Sequence, residues 1–306
     1  MNEAKIEKEG IRTMVGQKRK MLSLTTRHWR CYNPSEYAGP VDMQREFQPA
    51  SVAFVSLHLW NVGYPGGPSY PTDRFAMWMC TPEDTVIANQ IVDEIIAPCL
   101  MAARGAGLTV FHAQPYIVAD KYPISNLEWQ PTDIPAHLRK KWRPAGTAAD
   151  DEEVTARFGD PGAWSDPIPG WPLERAELVH GPGHRKWEGV AQLDIHESCK
   201  PLEGEYVVKT TMQLDGLLRK LGIVNLVYVG FTAQGCLLHT EGGIGPMSER
   251  GYRCMLIREG THGVESAESR KERWMTRAAI FSVEQRYGLT IGAADFIRAC
   301  EAVSEG

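Results

Sequence analysis

Long apolar runs are missing from this sequence. None of its hydrophobic stretches approaches the ~20 consecutive apolar residues that a membrane-spanning helix needs. Met1 to Lys20 is charged and has no apolar centre, so it does not read as a secretory leader. Cysteine pairing is missing too. The seven cysteines, Cys31, Cys80, Cys99, Cys199, Cys236, Cys254 and Cys300, are odd in number and include no C-x-x-C pair. Scattered thiols in a long chain read as reduced, and their spacing matches no zinc motif, so a cytoplasmic protein without a bound metal or cofactor is expected. Charge of one sign is not in excess either. Lys and Arg number 33 against 38 Asp and Glu, for a net charge of −5. That mild acidity gives no reason to expect a nucleic acid or an anionic membrane as partner. No internal repeat is found, and 306 residues are ample for a well-buried core.

Residues 1–48 are polar and irregular, and with Trp29, Tyr32, Tyr37 and Pro40 they read as an arm that packs on something else. A single domain is expected over 49–300, with a long insertion at about 113–188 that is rich in Pro, Trp, Gly and charge and has little periodicity. Val52–Leu57 reads as a buried strand, by its length and its β-branched and aromatic content. Thr81-Pro82-Glu83-Asp84 is a helix start, with Thr as N-cap and Pro at the first helical position. From there Val86, Ile87, Ile91, Ile95, Ile96, Leu100 and Met101 recur at helical spacing until Gly105 and Gly107. Leu108–Phe111, Tyr206–Val208, Ile223–Val229 and Arg253–Ile257 read as further strands. Leu214, Leu217, Leu218 and Leu221 mark a helix ended by Gly222, and a charged helix covers Glu268–Arg286. Alternating strands and helices, with strands apolar on both faces, predict an α/β protein with a largely parallel sheet. Ligands in such sheets bind beyond the carboxyl ends of the strands. His58, His112, Lys209 and Cys236 fall at or near such ends.

Cys236 is the most informative of these. The run Leu226–Val229 ends in Gly230, a short turn of small and polar residues follows, and the cysteine then opens a helix. A thiol at a strand-to-helix turn feels the positive end of the helix dipole, and unpaired backbone N–H groups at the same turn can hold an oxyanion. A buried structural cysteine is the alternative for this segment alone. Lys209 directly follows Tyr206-Val207-Val208 and, partly buried, would stabilise a thiolate and an anionic intermediate; a solvated surface lysine is the alternative. His58 ends the first strand and is a proton shuttle or a core histidine.

In order and context these segments resemble the isochorismatase-like cysteine hydrolases, which include nicotinamidases and N-carbamoylsarcosine amidohydrolase. Pro49–Asn61 is similar to that family's first strand with its Asp and Met-Gln-Asn, Pro201–Lys209 to its lysine strand, and Gly230-Phe231-Thr232-Ala233-Gln234-Gly235-Cys236 to its Gly-x-x-Thr-x-x-Cys element. The resemblance covers 49–112 and 190–300. It implies a three-layer α/β/α fold with a six-stranded, mainly parallel sheet, and a homodimer or homotetramer. It also implies hydrolysis of a small amide, carbamoyl or ureido C–N bond through a thioester on Cys236, with Lys209 beside it and the amides of Thr232 and Cys236 as oxyanion hole. A cis Phe231–Thr232 bond goes with it. Trp60, Asn61, His112, Gln114 and Phe231 are the candidates for the pocket wall. One position departs from the pattern: the family's base is Asp, and the register anchored on Pro49 and Asn61 puts His58 there. A two-residue shift would align Ser56 but loses Asn61. An imidazole beside Lys209 predicts a lowered pKa for one of the two, since like charges disfavour each other. The departure also leaves open a catalytically silent or reaction-changed member that binds a small metabolite.

Overall fold

The computed structural model describes residues 20–31, 39–69, 81–122 and 188–305. The rest of the arm, residues 70–80 and the insertion from 123 to 187 lie outside the described residues. The first strand of the domain, β3 (Val52–Leu57), is wholly buried. Its side chains alternate between two cores, with Val52 and Phe54 on one face of the sheet and Ala53, Val55 and Leu57 on the other. Burial on both faces is why it reads as an unbroken apolar run. β6 (Asn225–Phe231) is built the same way, with Val227, Val229 and Phe231 on the first face and Leu226 and Tyr228 on the second.

Strands β4 (Thr109–Ala113), β5 (Tyr206–Val208), β7 (Arg253–His262) and β8 (Gly288–Ile291) complete a parallel set. One face is covered by α1 (Pro82–Ile91), which runs through a wide turn at Val92–Ile96 into α2 (Ala97–Gly105), and by the C-terminal helix α8 (Ala293–Ser304). The other is covered by α4 (Thr211–Leu221), α5 (Cys236–His239), α6 (Ile244–Glu249) and α7 (Trp274–Ser282). A single helical turn, α3 (Tyr116–Ala119), follows β4. The α/β layering is as expected.

Two features differ from the sequence reading. The sheet has eight strands rather than six, in the order β2-β1-β8-β7-β6-β3-β4-β5. The additional pair, β1 (Leu22–Arg30) and β2 (Gly39–Phe47), lies in the stretch read as irregular. The two pair antiparallel along their whole length, and β1 meets β8 at Arg27 and Thr290. Leu22 and Leu24 alternate inward and are fully buried, so this part packs on its own domain. The second difference is the helix Pro82–Gly105, which by length and composition is apolar enough to cross a membrane. Val92, Ile96, Cys99, Leu100 and Ala103 instead bury its inner side against the sheet and α8, as in the core helix of an α/β protein.

The strand order positions the site. From β3 the chain winds to β4 and β5 on one side, then returns to place β6 on the other side of β3. The carboxyl ends of β3 and β6 therefore flank the point where winding reverses, which is where crevices open in such sheets.

Candidate active site

β6 passes the end of β3 very closely. Gly230 has φ 131°, and a Cβ there would lie 2.0 Å from the carbonyl oxygen of Leu57. Only glycine fits this crossing. The pairing of β6 with β7 also shifts register between Tyr228 and Gly230: β7 takes up extra residues between Leu256 and Thr261, and Gly230 and Phe231 pair with Thr261 and His262. The Phe231–Thr232 peptide bond is cis, as the resemblance implies. The chain then folds tightly: Gly235 and Leu237 both donate N–H bonds to the Thr232 carbonyl, at 3.1 Å each, and Ala233 donates to His262 at 2.9 Å. A Cβ on Gly235 would meet Thr232 Oγ1 at 2.5 Å, so this turn too depends on a bare backbone.

Cys236 emerges from the turn half-buried, at the first residue of α5. Burial raises its pKa, and the backbone N–H groups of Thr232 and of Cys236 itself oppose this only in part, so the net shift is upward. These are the same two amides that the resemblance implies for the oxyanion hole. The helix dipole contributes less than the sequence suggests. α5 is only Cys236–His239, too short to sum many peptide dipoles, so the local N–H groups carry the effect. Cys99, Cys199 and Cys300 are buried and pushed up to about 12 by desolvation, and burial raises Cys254 as well. None of these four has amides opposing the shift.

His58 ends β3 with φ 51°, a left-handed conformation uncommon outside glycine and often found where a side chain is aimed at a site. Its backbone N–H is held by Ala113 at 3.1 Å. The imidazole is buried and stacks on Trp60, with ring centroids 5.1 Å apart. Among the described residues, Nδ1 has no hydrogen-bond partner. Burial lowers the His58 pKa to about 4, so the ring is neutral near pH 7. The direction agrees with the sequence expectation, but the cause is desolvation rather than a like charge on Lys209.

Lys209 is fixed at the end of β5 by the start of α4, where Thr210 caps the helix and Gln213 Oε1 accepts the Lys209 N–H at 2.8 Å. Its Nζ donates to Asp120 Oδ1 at 2.6 Å, with the lysine side chain 27% exposed and the aspartate 54%. Asp120 directly follows α3. The carboxylate partner of Lys209 thus comes from the chain after β4, where nothing in the sequence pattern marked it. His58 and Cys236 stand at the ends of adjacent strands, while Lys209 stands two strands beyond β3 with its head group engaged by Asp120.

The remaining candidates divide. Trp60 is buried, and its Nε1 donates to Gln114 Oε1 at 3.0 Å, so these two and His58 form one cluster at the carboxyl edge. Phe231 is fully buried in the core directly before the turn. Asn61 serves the loop instead: its Oδ1 accepts from the Asp194 N–H at 2.9 Å and its own N–H donates to the Asp194 carbonyl at 3.1 Å. His112 is withdrawn into the sheet. Its Nδ1 lies 2.9 Å from Ser56 Oγ and its Nε2 2.9 Å from Glu205 Oε2, so both ring nitrogens are occupied. Arg104 donates to both oxygens of Glu205, whose pKa is held at about 2 although burial opposes this. This buried Ser56–His112–Glu205–Arg104 array ties together β3, β4, β5 and α2. His239, the last residue of α5, is exposed.

No family model matches the chain, and no curated protein matches it. Among solved structures, it is similar to a cysteine hydrolase from Pseudomonas syringae pv. phaseolicola 1448A, at 13% identity over 83% of this chain and 94% of that one, with a TM-score of 0.47. It is also similar to an isochorismatase family protein from Desulfovibrio vulgaris subsp. vulgaris str. Hildenborough, at 16% identity over 80% and 95% of the two chains and a TM-score of 0.42. A pyrazinamidase/nicotinamidase from Streptococcus mutans UA159 gives 14% identity over 76% and 97% and a TM-score of 0.35. At these identities and scores nothing in the reading of the site depends on them.

Proposed function

We propose that the protein hydrolyses a C–N bond of a small amide, carbamoyl or ureido compound, with Cys236 as nucleophile. The observation that carries this reading is a half-buried thiol at the tight turn after β6, where Gly235 and Leu237 fold back onto the Thr232 carbonyl and the N–H groups of Thr232 and Cys236 partly oppose the effect of burial. Donors that offset part of the cost of negative charge on the sulfur would also receive the oxyanion of a tetrahedral intermediate. The thiol gives its proton to the neutral His58 as sulfur attacks the carbonyl carbon. The oxyanion forms against the two amides. It collapses with cleavage of the C–N bond, and His58 passes the proton to the departing nitrogen. Water then attacks the thioester, losing a proton to His58, and the acid is released as the thiol re-forms.

Burial makes an isolated imidazolium at His58 costly, but proton transfer creates imidazolium and thiolate together. With His58 and Cys236 at the ends of adjacent strands, opposite charges that form together in a poorly solvated site offset part of that cost. Lys209, oriented by Asp120, adds positive potential at the same edge. The reading extends to a cytoplasmic enzyme acting as a homodimer or homotetramer. Ammonia release from a panel of small amides and ureas is the test. Turnover that disappears in Cys236→Ala supports the reading, and turnover unchanged in that variant sinks it.

One observation favours a second reading, a silent member that binds a metabolite: His58 is a weak base, with its pKa at about 4. That reading is supported if ligand binding survives Cys236→Ala while the native protein releases ammonia from nothing in the panel.

A further inference from the structure

Two buried polar atoms in the cluster at the carboxyl edge lack a hydrogen-bond partner among the described residues: Nε2 of Gln114 and Nδ1 of His58. Gln114 is 2% exposed and His58 7%. Trp60 joins them, with its ring stacked on the His58 imidazole at an interplanar angle of 19° and its Nε1 bonded to Gln114 Oε1. An indole N–H only donates, so Trp60 fixes which end of the Gln114 side chain is oxygen. Oε1 is taken, and the two N–H donors of Nε2 are left to point elsewhere. The backbone beside it is held in place, with the Gln114 N–H donating to the Val208 carbonyl of β5 at 2.9 Å. A buried donor is costly to leave unmade, and at the mouth of a parallel sheet the group that meets it is a ligand.

We infer that Gln114 is a specificity-determining residue which donates to a second oxygen of the substrate, separate from the carbonyl that is attacked. The matching substrate is planar, to lie on the Trp60–His58 stack, and carries a further carbonyl or carboxylate. Acylureas and ureido acids fit this class, and simple alkyl amides and alkylureas do not. A site that binds through a buried donor discriminates against an analogue lacking the acceptor more strongly than an apolar pocket discriminates by size. The inference deepens the hydrolase reading and rests on it for the identity of the scissile group.

The test measures binding apart from chemistry. Calorimetric titration of the full-length Cys236→Ser protein with N-acetylurea, n-propylurea and N-carbamoylglycine compares two compounds of the same size with and without a second carbonyl, and adds a carboxylate. N-acetylurea, N-carbamoylglycine or both are expected to bind at least roughly ten-fold more tightly than n-propylurea. Which of the two leads identifies the acceptor as neutral or charged. Adding Gln114→Glu keeps an oxygen for the Trp60 indole and removes the donor, and is expected to bring all three affinities to within about two-fold. If that variant does not fold, by its thermal transition, Gln114→Met takes its place. Equal affinities in the parent, no binding of any of the three, or a preference that survives loss of the donor would each overturn the inference. A preference that stands while the native protein releases no ammonia from N-acetylurea or N-carbamoylglycine refutes the hydrolase reading instead.

Discussion

At Cys236 two effects oppose each other, since burial raises the thiol pKa and the local amides lower it. Lys209 acts from further away, and its partner Asp120 is mostly exposed, so the pair contributes little to stability. Its value is in holding the ammonium at the carboxyl edge. Asp120→Asn is accordingly expected to reduce kcat/KM by roughly three- to ten-fold while unfolding within about 1 kcal/mol of the parent. Lys209→Met is expected to lose more activity at similar stability. Equal activity in both variants, measured by ammonia release, would remove Lys209 from the mechanism. Cys236 itself was legible in the sequence, because a strand, a small-residue turn and a cysteine are contiguous. Asp120 was not legible, because its role depends on where the chain after β4 returns. His112 was misplaced for a related reason: its position at a strand end is visible in the sequence, but its buried partners Ser56 and Glu205 are not.

Among the elements, the crossing of β6 over the end of β3 is the most demanding. Gly230→Ala would drive a methyl into the Leu57 carbonyl and force a non-glycine residue to φ 131°, so a loss of about 3 kcal/mol or more is expected. Gly251 gives the control. It also has positive φ, 90°, but a Cβ there would meet no atom within 4 Å, so Gly251→Ala should cost only about 1 kcal/mol. Denaturant unfolding of the two variants checks both values, and equal losses would show that the close approach is not the constraint. The buried strands and the helix from Pro82 were readable because burial on two faces, or a good N-cap with helical spacing, leaves a local signature. The β1–β2 hairpin left less. Leu22 and Leu24 alternate with polar residues, but their partner β8 lies more than two hundred positions away in sequence. β7 was read only to Ile257, because the polar Arg258-Glu259-Gly260 that follows belongs to the irregular stretch beside Gly230.

Across the whole molecule, burial lowers the pKa of His58, His112, His196 and His262. The sign is the same for each: the unfolded chain takes up a proton as pH falls below about 6.5, and the folded chain resists. Stability present above that pH is therefore lost as pH falls, through about 4 in the case of His58. His58 alone accounts for roughly 3 kcal/mol across this window. Unfolding free energy measured between pH 7.5 and 4.5 should fall steadily, and His58→Gln should flatten part of that fall. A flat profile in the parent protein would mean that these rings are better solvated than the fold suggests. Strand and helix patterning indicates an α/β chain, and the mild net charge gives no reason to expect a nucleic acid partner, but neither shows how many titratable groups the fold seals inside.

Peptide-mapped alkylation with iodoacetamide, followed alongside ammonia release, tests the catalytic role of Cys236 most directly. In the native protein Cys236 and the exposed Cys31 should be modified while Cys99, Cys199, Cys254 and Cys300 stay protected, and activity should decline in step with modification of Cys236, also in a Cys31→Ser background. A Cys236 thiol that reacts only after unfolding, or full modification of Cys236 with activity intact, would contradict the account.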